Sequence, residues 1–388
     1  MPSARPLGDE RAAHTAARPL GYEPALDGLR AVSIVGVLLF HAAATSGHPT
    51  TFAGGGLGVS VFFTLSGYLI TRLLLADVDA RGSVDLRRFW GRRIRRLAPA
   101  SLAVVVAVLV VGRTSWLDVR AGDAVAAVWS ATNWRVIAAG QSELLHTIVG
   151  PLGPTWSLAV EEQFYVLLAI VVVLAARAAR PDRVLTTVFA AVVPVTLVLA
   201  NTVSDWHPRL EFGTDVRAAE LAIGGLLAVA HRHLGDRLVA APAAEPAGWV
   251  ALGGLLVLFH WGDDEPAWLL RGGFVVVALL SATVVTGALG RGALHRALGV
   301  GPLVALGRLS YSLYLVHWPV LLVLNEDRVG VGGWPLVAVK AAASLVLAIA
   351  LHLAVEQPIR RLTASTGRTV AVWLGASAAV TVLALVLA

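Results

Sequence analysis

Apolar runs of roughly twenty residues, separated by short polar stretches, recur along the whole chain. They fall near residues 27–46, 57–76, 98–113, 155–176, 184–203, 216–231, 247–261, 269–288, 302–324, 334–354 and 369–388, eleven windows in all. Runs of this kind predict membrane-crossing α-helices, because a segment in hydrocarbon must satisfy its backbone hydrogen bonds internally. The expected fold is therefore all-α, a polytopic membrane helix bundle of about ten to eleven transmembrane helices. The longest stretches left outside are the tail 1–24, the loop 77–97 and the segment 114–154, whose AVAAVWSATNW predicts a helix lying on or dipping into the interface. Pro242 and Pro246 mark an ordinary loop. The chain shows no repeat at a fixed period and no soluble stretch long enough to bury its own core.

Composition agrees: 57% hydrophobic residues, 14% charged residues and a mean hydropathy of +0.74 lie outside the soluble globular range. The leading tail is polar and Arg-bearing, with no small-residue cleavage pattern after a short apolar core, so the first helix is expected to stay as a signal anchor. Charge sets the orientation. With the N-terminus inside, 22 arginines fall on inner segments, eight of them between Arg72 and Arg96, and seven on outer ones. A cytoplasmic N-terminus in the plasma or inner membrane follows. The pI of about 10.4 thus reflects topology, and no basic face interleaved with aromatics suggests nucleic-acid binding. With no cysteine, disulfides and thiolate metal ligands are excluded.

Three polar stripes interrupt the apolar pattern. In RAVSIVGVLLFH, Arg30 and His41 are eleven residues apart, about three helical turns and ~16 Å, so they share one face, with Asp27 a turn before Arg30. Taken singly, Arg30 reads equally as an arginine snorkelling to headgroups and His41 as a satisfied histidine. As a pair of ionisable groups facing a membrane interior they mark a pathway or a reaction centre. In PTWSLAVEEQFYVLL, Pro154 starts a helix on which Ser157, Glu161, Phe164, Tyr165 and Leu168 share a face, while Glu162 points about 100° away. Glu161 is the carboxylate expected to face the bundle interior; a structural ion pair with a neighbouring arginine is the alternative. In FWGRRIRRLAP, four arginines within five residues serve either as a lipid-contacting anchor or as forks for a phosphorylated cytosolic ligand.

Together these stretches resemble acyltransferase family 3, the membrane O-acyltransferases that modify surface polysaccharides and some macrolides. LDGLRAVSIVGVLLFH is similar to the family's first helix through Arg30 and His41, and GGGLGVSVFFTLSGYLI to its glycine-rich FF-x-x-SG segment through Gly58, Phe62, Phe63, Ser66 and Gly67. FWGRRIRRLAP resembles its R-x-x-R element at Arg93 and Arg96, and PTWSLAVEEQFY its W-S-L-x-x-E-x-x-F-Y motif at Trp156, Ser157, Glu161 and Tyr165. DVRAAELAIGGLLA, LGRLSYSLYLVHWPV and VEQPIRR look like later landmarks, bringing in Arg217, Ser310, Tyr311, Tyr314, His317, Glu356 and Pro358. Two positions depart from the pattern: Trp90 stands where a tyrosine is common, and Ser60 where an acidic residue is frequent. The resemblance spans residues 25–360, which suggests a membrane domain over 25–364 and one additional helix at 365–388. No appended outer esterase-like domain follows that helix, so a second transfer step by such a domain is not expected.

The resemblance implies acyl-CoA, acetyl-CoA by default, as donor, and a hydroxyl-bearing acceptor: a surface glycan, a lipid-linked sugar or a secondary metabolite. Arg93 and Arg96 would hold the CoA phosphates, with Arg30 and Ser66 along the donor path. His41 would take the acceptor's proton for direct transfer or carry the acyl group as a covalent acyl-histidine, Glu161 would orient it or offset its charge, and Arg30, Ser157 or a backbone N–H would stabilise the oxyanion. Trp156, Ser157, Tyr165, Arg217, Tyr314 and His317 would line the acceptor pocket. No metal is expected, since no H-E-x-x-H or comparable spacing occurs. The rival classes are a proton-coupled transporter, which the lack of paired broken-helix repeats disfavours, and a non-catalytic polysaccharide-assembly partner.

Overall fold

A computed structural model describes residues 21–140, 150–202, 207–262 and 267–388. The tail 1–20, on which part of the orientation argument fell, and residues 141–149 of the 114–154 segment lie outside the described residues. The chain runs through α1 (Pro24–Ala44), α2 (Gly58–Arg81), α3 (Leu86–Val111) and two short helices, α4 (Ala121–Val128) and α5 (Thr132–Ala138). There follow α6 (Trp156–Ala175), α7 (Pro181–Thr202), α8 (His207–Phe212), α9 (Thr214–Leu234), α10 (Asp236–Val239), α11 (Ala244–Trp261) and α12 (Phe274–Leu289). The last third comprises α13 (Ala293–Leu298), α14 (Gly301–Val323), α15 (Glu326–Val329), α16 (Gly333–Leu351), α17 (Gln357–Arg361) and α18 (Thr366–Leu387).

A long helix occupies each of the eleven apolar windows, and the protein is an all-α, multi-pass membrane bundle. Among the described residues, eight stretches are long and apolar enough to cross a membrane by length and composition alone. The three long helices below that mark are α9, α11 and α14. Two of them carry polar faces: α9 bears Asp215, Arg217, Glu220 and Arg232, and α14 bears Arg308, Ser310, Tyr314 and His317. Much of the expected loop 77–97 is instead helical. α2 continues to Arg81 and is closed by left-handed Gly82 (φ +72°), and α3 begins at Leu86, where the Asp85 carboxylate accepts from the Arg88 amide at 2.9 Å. The arginines of this stretch do not break the helix, because long charged side chains reach water while their stems stay on the helix surface. The segment AVAAVWSATNW forms α4 and α5 rather than one continuous helix, with Ser130 in a left-handed conformation (φ +53°) between them.

α1 packs along α14, and α2 along α9. Both pairs approach at glycines, as small residues allow between membrane helices. A Cβ at Gly307 would lie 1.8 Å from the Asp27 carbonyl oxygen, and one at Gly224 would lie 2.0 Å from that of Thr64. At the far end of α1, the buried Lys340 of α16 donates to the Thr45 carbonyl (2.7 Å), the Thr45 hydroxyl (2.8 Å) and the Ser46 hydroxyl (3.1 Å). An ammonium at a helix C-terminus meets its negative dipole end, which ties α16 to the turn after His41.

A second buried cation holds α2, α8 and α9 together. Arg217 donates from Nε and Nη2 to the Glu220 carboxylate (2.6 and 3.1 Å), from Nη1 to the Glu211 carbonyl (2.7 Å) and from Nη2 to Ser60 Oγ (3.1 Å). Its guanidinium also lies 3.8 Å from the centre of the Phe274 ring. Ser60, which replaces the acidic residue frequent in the resembling family, therefore faces an arginine whose carboxylate comes from Glu220. Both side chains of the pair are at most 3% exposed. Replacing Arg217 by Met should lower stability by about 3–5 kcal/mol, because Glu220 would remain buried and unpaired. The double replacement Arg217→Met with Glu220→Met should recover most of that loss. Unfolding midpoints of the purified proteins check this; a single variant as stable as wild type would contradict it.

Candidate active site

The sequence-predicted stripes converge on one cavity of about 760 Å³ between α1, α2, α3, α6 and α14, with α4 and α18 closing its flank. Arg30, Ser66, Arg93, Arg96, Ser157, Glu161, Tyr165 and Tyr314 all line it. Its volume is within the range of small-molecule and cofactor sites, roughly 300–1,000 Å³.

At the arginine-rich end the charges divide into partnered and unpartnered groups. Arg93 Nε donates to Glu162 at 3.0 Å, and its guanidinium carbon sits 3.6 Å from the centre of the Tyr165 ring. Glu161 accepts from Ser66 Oγ at 2.7 Å. Thus Glu162, rather than Glu161, supplies the interhelical ion pair, and both neighbouring carboxylates are engaged from different helices. Arg30 reaches across to α14, donating to Ser310 Oγ from Nε (3.2 Å) and Nη2 (3.0 Å). Tyr311 donates to the Leu97 carbonyl at 2.7 Å and so fixes α14 against α3. Arg96 lines the cavity and forms no hydrogen bond or ion pair with the protein among the described residues.

At the other end, Ser157 and Tyr314 share a 2.7 Å hydrogen bond, and the Tyr314 hydroxyl donates to the Pro154 carbonyl at 2.7 Å. One turn on, His317 Nδ1 lies 2.6 Å from the Tyr314 carbonyl oxygen, and its Nε2 lies 3.2 Å from His41 Nδ1. A carbonyl oxygen can only accept, so His317 Nδ1 carries the hydrogen. In neutral His317, Nε2 is then an acceptor, and the hydrogen between the rings belongs to His41 Nδ1. This assignment leaves the lone pair of His41 on Nε2, the tautomer a general base needs. Trp318 packs against the same ring at a centroid distance of 4.9 Å and donates to the Gly150 carbonyl at 3.0 Å.

His41 and His317 are buried, with the His317 ring beside that of Tyr314 and the His41 ring beside that of His317, and do not themselves line the cavity. Trp156 and Arg217 also lie off it: Trp156 is packed edge-on against Phe63 and Phe212, and Arg217 is enclosed by Glu220. Sequence reasoning expected Glu161 to orient His41; the ring facing His41 Nδ1 is that of His317. It missed the Glu162–Arg93 pair, the α18 wall and Lys340. For Lys340 a signal existed, since a lone ammonium within an apolar window is itself an indicator of a buried polar contact. Among the described residues no group of three or more His, Asp or Glu side chains is placed to hold a metal.

O-acetyltransferase OatA of Staphylococcus aureus strain NCTC 8325 / PS 47 is 30% identical over 354 residues, covering 88% of the chain and 57% of that protein. The same figures hold for O-acetyltransferase OatA of Staphylococcus aureus strain COL. The chain thus spans little more than half the length of these relatives. No solved structure matches it. Residues 23–356 match the acyltransferase domain of acyltransferase family 3, and the chain belongs to that family.

Proposed function

We propose that the protein is a membrane O-acyltransferase that moves an acyl group, acetyl in the first instance, from cytosolic acyl-CoA to a hydroxyl of a cell-envelope or small-molecule acceptor. The supporting observation is that one cavity joins Arg96, which has no hydrogen-bond or ion-pair partner among the described residues, to the Ser157–Tyr314 hydroxyl pair, with His317 and His41 next to Tyr314. The relatives' name, O-acetyltransferase, supports acetyl as the group transferred. The excess of arginine on one side supports a cytosolic donor mouth and an N-terminus inside.

Coenzyme A has phosphates at one end and a thioester at the other. Arg96, with Arg30 beyond it, offers the phosphates fork-shaped, charge-assisted donors. Arg93, held by Glu162 and Tyr165, adds positive potential. The pantetheine arm would follow the lining of Ser66, Tyr165 and Glu161 toward Ser157. His41 is buried off the cavity, so the acceptor hydroxyl would have to reach it there, and His41 Nε2 would take its proton as the oxygen attacks the thioester carbonyl. To donate to the oxyanion, the Ser157 hydroxyl would turn away from the Tyr314 oxygen, whose own hydrogen goes to the Pro154 carbonyl. As the carbon–sulfur bond breaks, the proton on His41 passes to the departing thiolate, yielding ester and free CoA. His317 acts as a positioning residue, holding the hydrogen on His41 Nδ1.

The first test is release of CoA thiol from acetyl-CoA by the purified protein with an envelope extract. Release should depend on the extract and be lost in His41→Ala; a transporter or assembly partner would release no thiol. His317→Ala should lower kcat by about 100-fold with little change in KM for acetyl-CoA. His317→Gln, whose amide oxygen can accept from His41 Nδ1, should recover part of that loss, and equal defects in the two variants would exclude the positioning role. Arg96→Ala should raise KM for acetyl-CoA by about 10- to 100-fold, the worth of a charged hydrogen bond. It should leave KM for acetyl-pantetheine, which lacks the nucleotide phosphates, unchanged. Parallel shifts for both donors would place the phosphates elsewhere.

A further inference from the structure

The two walls of the cavity do not pack closely on each other. α6 packs on α2, α5, α7 and α9, whereas α18 packs on α3 and α4. Between them, Leu158, Glu162 and Val166 of α6 face the same space as Leu102 of α3 and Val370 and Trp373 of α18. Val166 and Trp129 line the cavity while remaining 46% and 43% exposed on the flank of the molecule. The cavity is therefore open sideways, along stretches apolar enough to cross a membrane (Gly153–Ala175 and Thr366–Leu387).

The end of this slot beside Ser157 is mainly apolar, and the polar groups near it are engaged by the protein: Thr155 donates to the Leu152 carbonyl and bonds Thr132, and Gln163 donates to the Ser130 carbonyl and to Asn133 Oδ1. Leu158 follows Ser157 directly, and Ala127, Val128 and Trp129 of the α4 end cover it. Trp129 is fixed to α18 twice, by an edge-to-face contact with Trp373 (centroids 6.2 Å apart) and by donation from Nε1 to Thr381 Oγ1 at 3.0 Å. Val370 and Trp373 lie beyond residue 356, where the family match ends, so this part of the wall is supplied from outside the matched domain.

We propose that this apolar end is an acyl-chain site that accepts donor tails longer than acetyl, the tail running from the thioester at Ser157 past Leu158 and Ala127 toward Trp373 and the lateral opening. This inference rests on the reading of acyl-CoA as donor. An acetyl methyl would fill only the first part of the space, whereas a tail of four to eight carbons meets apolar side chains along its length. An acceptor's polar head suits this end poorly, because its lining beyond Ser157 consists mainly of hydrocarbon and indole.

The test is equilibrium binding of CoA, acetyl-CoA, butyryl-CoA, hexanoyl-CoA and octanoyl-CoA to the full chain in lipid nanodiscs. Each methylene buried should strengthen binding by about threefold to fourfold until the site is full. Hexanoyl-CoA should then bind at least about 30-fold tighter than acetyl-CoA. In Ala127→Phe, which fills the slot, the hexanoyl-to-acetyl ratio should collapse to about 3 or less. In Trp373→Ala, which lengthens the slot, the chain length at which affinity stops rising should increase. Two results would overturn the proposal: CoA binding with no dependence on tail length, or a chain-length dependence that Ala127→Phe leaves intact, as partition into the bilayer would give. Failure of CoA and every acyl-CoA to bind would overturn the donor reading, and this proposal with it.

Discussion

A polar group in a membrane interior must find its partner inside the protein, and the helix arrangement follows from where those partners are. The interface of α1 with α14 shows this most clearly. Arg30 meets Ser310, and about three turns further along α1 and two along α14 His41 meets His317. Two polar contacts so spaced on one pair of helices allow neither rotation nor sliding without unsatisfying a buried group. Gly307 lets the backbones approach closely enough for short side chains such as Ser310 to take part. Lys340 then closes the end of α1 beyond His41. The imidazole pair is thus placed by the packing of three helices rather than by its own loop.

The same rule separates charges that build the protein from charges available to a ligand. Arg217 has its guanidinium filled by Glu220, the Glu211 carbonyl and Ser60, and does not line the cavity. Arg93 stands between the two cases, paired with Glu162 but still lining the cavity. Arg96 lines the cavity with no hydrogen-bond or ion-pair partner among the described residues. A guanidinium so placed is tolerable when water or an anion reaches it. The central pairs Arg93–Glu162 and Ser66–Glu161 also prop the cavity open, because collapsing α6 onto α3 would bury these charges more deeply.

The eleven long helices were legible because the membrane turns helix length into a count of apolar residues, and the stripe on α1 because helical periodicity places Arg30 and His41 on one face. Where α3 starts was not legible, since a window scored on apolarity ends where arginines begin, although the helix continues through them from Asp85. Nor was the partner of His41. Glu161 was the natural candidate from a carboxylate on a polar face, but which of two polar faces meets α1 depends on helix rotation, and that is set by Gly307, Ser310 and the α14 packing. Trp373 carried no signal either: in an apolar window an indole reads as lipid-facing, and only the docking of α18 on α3 and α4 turns it toward the cavity.

The identity of that partner bears on how a histidine works as a base in such a place. A carboxylate beside His41 would hold its tautomer and also stabilise the imidazolium, but it would add a permanent negative charge to a buried site already containing Glu161 and Glu162 on a nearby helix. A second imidazole holds the tautomer without that charge. Its Nδ1 is committed to the Tyr314 carbonyl, so in neutral His317 its Nε2 serves as an acceptor toward His41. In the proposed reaction, positive charge would build on His41 as it takes a proton from the acceptor, while the thioester oxygen becomes negative. The two charges appear and disappear together, so the low dielectric that makes an isolated ion costly strengthens their mutual attraction. An imidazole partner thus suits a reaction whose charges are transient, while the arginine-rich end would meet the phosphates of the donor.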